Sequence, residues 1–164
     1  MSQLKVNSIV PAGGIPAGAS GGGIIQIVQT QYISSFNTSS STFVDVTNFT
    51  ATITPRSTSN KILIHLSTSG THIGSASQGE YRILRGSTDP ANITGGRMWT
   101  SDGYYGSTTT SDAVCTFLDS PATTSATTYK LQIRNRMSLS MTVGIDWNGE
   151  LAGLHTLTLM EVSG

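Results

Sequence analysis

The amino-acid sequence predicts an all-β fold, an antiparallel jelly-roll sandwich preceded by an extended N-terminal arm and a Gly-rich hinge. Three observations carry this. From Ile24 to the last residue, short runs of alternating apolar and polar residues recur between turn signals, and no helical period appears. Ser and Thr number 47 and charged residues are only 11%, against roughly 25% in an average soluble protein, so hydroxyls replace Lys and Glu in wetting the surface. Thr also fits the pleat of a strand. Finally, Pro11 to Gly23, PAGGIPAGASGGG, holds six Gly and two Pro and can neither build a helix nor pack a strand. It sets an arm and hinge, residues 1–23, apart from a domain of residues 24–164 that is long enough for one sizeable core.

The arm, MSQLKVNSIV, places apolar residues at Leu4, Val6 and Ile9. It buries too little to fold alone. Two readings stand: a peptide held on a partner surface through these three side chains, or a disordered tail.

The elements follow in order. Ile24 to Ile33, IIQIVQTQYI, is the first strand, with an apolar start that suggests burial on both faces near the hinge. Ser34 to Thr42 is a polar loop. Thr42 to Val46 and Phe49 to Thr54 read as two short strands broken at Asn48, and Pro55 ends the second. Asn60 to Thr68, NKILIHLST, is the strongest strand. Ile62, Ile64 and Leu66 face the core, and Leu63 beside His65 on the other face implies that this second face is also partly covered.

Gly79 to Gly86 alternates Tyr81, Ile83 and Arg85 against Arg82 and Leu84. Ser87 to Asp102 is loop-like and carries the cluster Arg97, Met98, Trp99, with Tyr104 and Tyr105 just beyond it. Ser111 to Leu118 is a strand, and Pro121 turns the chain. Thr127 to Arg136 has the cleanest period of two, with Tyr129, Leu131 and Ile133 on one side. Met141 to Trp147 repeats the pattern before the turn Asn148-Gly149. His155 to Val162 is the last strand, expected to pair with the first at the centre of one sheet.

Composition excludes several functions. Nine basic and nine acidic residues cancel, so no electrostatic case exists for nucleic acid or an anionic membrane. No stretch approaches the ~20 apolar residues of a membrane span. The start of the chain lacks a signal peptide's basic and apolar regions, which points to a soluble product made in the cytoplasm. Cys115 is the sole cysteine, flanked by Val114 and near Phe117, and reads as a buried, inert thiol.

Candidate chemistry is sparse. His65, His72 and His155 form no ligand pair, and no cysteine pair joins them, so no metal and no cofactor is expected. A ring of one His per subunit about a symmetry axis is the rarer alternative to a hydrogen-bonded structural histidine. No G-x-S-x-G elbow is present, and Asp45, Glu80, Asp146 and Glu161 read as scattered surface or interface groups. The chain is expected not to be an enzyme. GASGGG precedes a strand and lacks the helix that lets such a loop hold phosphate. The sequons at Asn37, Asn48 and Asn92 follow by chance from the Ser/Thr content. The best binding candidate is RMWTSDGYY, where Trp99, Tyr104 and Tyr105 sit among hydroxyls and an Asp, groups that stack on sugar rings and bond their hydroxyls. The competing reading has these rings covering the end of the core or a neighbouring subunit.

The opening LKVNSIVPAGGIPAGASGGGIIQIVQT resembles the starts of tail-fibre-like and other virion proteins of tailed phages of marine bacteria, cyanobacterial phages especially. NKILIHLSTSG, YRILRGST, TFLDSPATTSATTYKLQIRN and TLTLMEVSG extend the resemblance over most of the chain after Thr30, with Ser87 to Thr110 the poorly matched part. The resemblance implies a tumour necrosis factor- or complement-like jelly roll, a homotrimer displayed on a virion, with one sheet's apolar residues gathered about the three-fold axis. It also implies that residues 1–23 dock on another virion protein. Two classes stay open: a receptor-binding tip that recognises host surface glycan, and a capsid decoration or fibre component that binds only other virion proteins.

Overall fold

A computed structural model describes residues 23–73, 78–92, 96, 98–102, 109–145, 148–151 and 153–164; of 69–73, 99–102 and 109–111 it describes the backbone alone. These residues form ten strands and no helix. They are β1 (Ile24–Tyr32), β2 (Phe36–Thr38), β3 (Val44–Ile53), β4 (Lys61–Ile73), β5 (Gln78–Arg85), β6 (Trp99–Asp102), β7 (Thr109–Asp119), β8 (Thr127–Asn135), β9 (Met141–Val143) and β10 (His155–Val162).

Every pairing is antiparallel, in two sheets. The first runs β1-β10-β4-β9-β2, with β7 also on β4; the second runs β3-β8-β5-β6. The long β4 organises the first sheet. One of its edges takes β10 along Lys61 to Ser67 and then β9 along Thr71 to Ile73, while β7 lies along the other. As β1 pairs with β10 and β2 with β9, the six strands make four columns.

Alternation then decides what faces inward. From the first sheet, Ile62, Ile64, Leu66, Leu157, Leu159 and Val143 are fully or almost fully buried; from the second come Phe49, Ile53, Tyr81, Ile83, Leu131 and Ile133. They form one cluster between the sheets, so the molecule is a β-sandwich. Tyr32 stacks on Phe49 at 4.9 Å and closes the core between β1 and β3.

Several expectations need correcting. The two strands expected around Asn48 are one strand, β3, whose register against β8 slips between Asp45 and Thr50. Asn48 adopts a φ of 65° there, a conformation that Asn tolerates, so the expected break is a bulge. The loop Ser34 to Thr42 contains β2, and the loop Ser87 to Asp102 ends in β6. The strand beginning at Met141 stops at Val143, where Gly144 turns with a φ of 95°. β1 does pair with β10 over its length, but among the described strands it lies at the end of the order and not at the centre.

Candidate functional site

The site with the most distinctive chemistry is the outer face of the first sheet. Since Ile62, Ile64 and Leu66 point into the core, Leu63 and His65 must point out. Register carries that face across all four columns. Ile27, Met160, Leu63 and Leu118 stand opposite one another in an unbroken apolar row. Ile27 is 59% exposed and Leu118 48%, values far from those of a finished core. The next row is Gln29, Thr158, His65 and Thr116. Gln29 Nε2 donates to Thr158 Oγ1 at 2.9 Å, and His65 Nδ1 lies 2.8 Å from Thr116 Oγ1. The third row holds Gln31, Thr156, Ser67 and Val114, the last 53% exposed. Alternation along β4 and β7 leaves Lys61 and Asp112 as the charged groups of this face among the described side chains, each outside the three rows.

The outer face of the second sheet is built from opposite chemistry. Lys130 Nζ reaches Asp45 Oδ2 at 2.8 Å, and Gln132 Nε2 donates to Asp45 Oδ1 at 2.5 Å. Lys130 is the main reason the Asp45 carboxyl lies below its ordinary range. Arg82 Nε donates to Gln132 Oε1 at 2.7 Å, and Arg134 Nε to Glu80 Oε2 at 2.6 Å. Both guanidinium carbons lie over the Phe43 ring, at 4.2 and 4.4 Å from its centroid. Charges here are interleaved and hydrogen-bonded, with Glu80 and Gln132 buried and Arg82, Lys130 and Arg134 partly exposed.

The remaining candidates resolve into structural groups. Glu80 and Glu161, expected as surface or interface groups, have no exposure at all in the single chain. Glu161 accepts from Asn60 Nδ2, the Arg56 N–H and Gln26 Nε2 at 2.5, 2.6 and 2.6 Å. Burial pushes its pKa up, but these three donors outweigh that and hold the carboxyl below its ordinary range. Asp119 takes Tyr129 Oη–H at 2.6 Å and Arg85 Nη1 at 2.9 Å, joining the two sheets across the core. Alternation could not show that these partners meet, because it gives the two sides of each strand and not its register or which strand it faces.

Cys115 packs against the core, and burial pushes its thiol up to about 11. His155 is buried, with its ring centroid 6.0 Å from that of Tyr32, and burial lowers its pKa. Of His72 only the backbone is described, opposite Thr142 and Thr110. Asp146 lies outside the described residues. Among the described residues no group of three or more His, Cys, Asp and Glu is placed to hold a metal. A recess lined by Leu66, Tyr81, Met98, Ala113 and Cys115 has room for about one water. No helix is long and apolar enough to cross a membrane among the described residues.

Leu4, Val6 and Ile9 of the arm, and Tyr104 and Tyr105 of the aromatic segment, lie outside the described residues. Trp99 is described in its backbone, at the start of β6 opposite Tyr81. The flanks of these segments are nevertheless placed. Gly23 accepts a hydrogen bond from Ser163 N beside the β10–β4 pair Val162 and Lys61. Asp102, which follows Trp99 and leads into the two tyrosines, pairs with Gln78, and Thr109, where the chain returns, pairs with Ile73. Lys61 and Ile73 are the two ends of β4, about 40 Å apart for an extended strand of this length. The arm root and the base of the aromatic segment are therefore at opposite ends of the sandwich. No protein-family model and no curated protein matches this sequence.

Proposed function

We propose that this chain is a structural protein of a tailed-phage virion, a non-enzymatic, homotrimeric tail-fibre-like module. In this reading residues 1–23 anchor it on another virion protein and the sandwich presents the Trp99, Tyr104 and Tyr105 segment to a host surface glycan. The observation that carries it is the polar layout: the arm root lies at one end of β4 and the base of the aromatic segment at the other. An element held at one end and reading at the other needs this arrangement. The phage context rests on the sequence resemblance.

Strand order supports the jelly-roll part. Chain order alternates between sheets from β3 to β5, and the first sheet's columns β1, β10, β4, β7 face the second sheet's β3, β8, β5, β6, as two interlocked Greek keys require. The trimer is supported by the contrast between faces. The apolar row Ile27, Met160, Leu63 and Leu118 is left open on one sheet, while the other carries the ion pairs. A face without charges in its three central rows lies against its own copies at no electrostatic cost, and open apolar area favours closing it.

Gold labelling of intact particles with an antibody to residues 24–164, viewed by electron microscopy, tests the proposal. Label at tail or fibre ends is the expected result. Label spread over the head would select the second reading, a decoration protein binding only other virion proteins, and unlabelled particles would overturn both. Deleting residues 1–23 is expected to leave the trimer intact and to abolish its incorporation into particles.

A further inference from the structure

We infer that in the free chain the arm docks on its own sandwich, with Leu4, Val6 and Ile9 laid across the outer apolar row Ile27, Met160, Leu63 and Leu118. The inference goes beyond the virion reading and needs no second copy: it names where the arm is held before a partner takes it. Its basis is the place from which the arm departs. Gly23 accepts from Ser163 N at 3.2 Å, and Ile24 pairs with Val162, whose other neighbour is Lys61. The arm therefore leaves from the first sheet itself, at one end of β1, β10 and β4. The apolar row crosses that sheet only two residues further along β4, about 7 Å from this end.

The lengths agree. Three strand spacings separate Ile27 from Leu118, about 14 Å, and an extended segment from Leu4 to Ile9 spans about 17 Å. Three apolar side chains spaced along that segment cover the row from one column to the last. Pro11 to Gly23, with six Gly, has the r.m.s. reach of a Gly-rich linker, about 20 Å. The far end of the row lies about 16 Å from the root, within that reach. Ile33 and Leu154 are also exposed, but they follow β1 and precede β10 at the opposite end, about 33 Å from Gly23.

The chemistry agrees as well. Ile27 and Leu118, at the two ends of the row, are 59% and 48% exposed, apolar area that a covering segment removes from water. The second sheet's outer face is laced with the ion pairs of Asp45, Lys130, Glu80 and Arg134 and offers the arm no such row. A linker of this length presents the arm to the row at an effective concentration on the order of 1 mM. A contact too weak to join separate chains in dilute solution is therefore populated within one. Copies of the chain compete with the arm for the row, and a virion partner competes with the row for the arm.

The test is disulfide trapping in the full chain at dilute concentration under oxidised glutathione, read on non-reducing gels, with circular dichroism recorded alongside. Ser8→Cys is combined with His65→Cys, beside Leu63, or with Thr52→Cys on the outer face of the second sheet as the control. Thr116→Cys serves where His65→Cys does not fold. The native Cys115 thiol, pushed up to about 11 by burial, stays out of the exchange. The expected result is closure within one chain at least about tenfold faster for the first pair than for the control. Replacing Leu4, Val6 and Ile9 by Ser should bring the two rates together. Equal rates before that replacement, a preference that survives it, or links formed between chains in place of closure within one would overturn the inference. None of these results bears on where particles carry the protein, so the virion reading stands or falls separately.

Discussion

Glu161 is a carboxylate with no solvent exposure in a chain that has few charges to place. Its three donors come from Gln26, Arg56 and Asn60, at 135, 105 and 101 residues' separation, and they tie β1 and the β3–β4 turn to the last strand beside the arm root. Alternation marked it only as one more scattered acid, because nothing local reveals which distant amides will meet it. Its lowered pKa has a definite sign. The stability it contributes is fully present above the unfolded value of 4.5 and is lost as pH falls below that toward the folded value. Glu161→Gln presents an N–H to donors that need an acceptor, so it should cost about 3 kcal/mol at pH 7. It should also flatten the acid limb below about pH 4.5. Urea unfolding at a series of pH values measures both effects; a variant with the wild-type midpoint and acid limb would show that the donors hold no ionised carboxylate.

Elements were legible in proportion to the length of their alternation. β4, β8 and β10 were read from the sequence within a few residues of one end or the other, because five or more positions of period two leave little choice of face. β2 and β6, of three and four residues, offer too few positions to show any period. The end of β9 was missed because alternation continues on paper through Ile145, whereas the backbone turns at Gly144. A Cβ at Gly144 would lie 2.3 Å from the Ser34 carbonyl oxygen, and its φ of 95° is one that side chains resist. That close approach brings the end of β1 against the start of the β9–β10 connection, a contact between segments more than a hundred residues apart. Gly144→Ala should therefore lower the stability by roughly 2–4 kcal/mol. Denaturant unfolding checks this, and an unchanged midpoint would mean that the turn relaxes freely.

At the scale of the whole molecule, the sandwich has one outer face of interlocked ion pairs and one of threonines, glutamines and open aliphatic groups. Part of this was legible: Leu63 opposite Ile62 and Ile64 already marked an apolar residue on the second face. The row from Ile27 to Leu118 was not, since alternation gives each strand's two sides but not its register against its neighbours. The polar layout was likewise hidden until the pairing of Asp102 and Thr109 fixed where the aromatic segment begins and ends. The proposed function rests on that face assembling three copies. The most direct measurement is the light-scattering mass of the full chain beside the double variant Leu63→Glu, Leu118→Glu, which sets two carboxylates in the apolar row and leaves the core untouched. The expected result is three times the 17.2 kDa chain mass for the wild type and one chain mass for the variant, with the same circular dichroism. A wild type of one chain mass, or a variant that keeps the trimer's, would contradict the assembly.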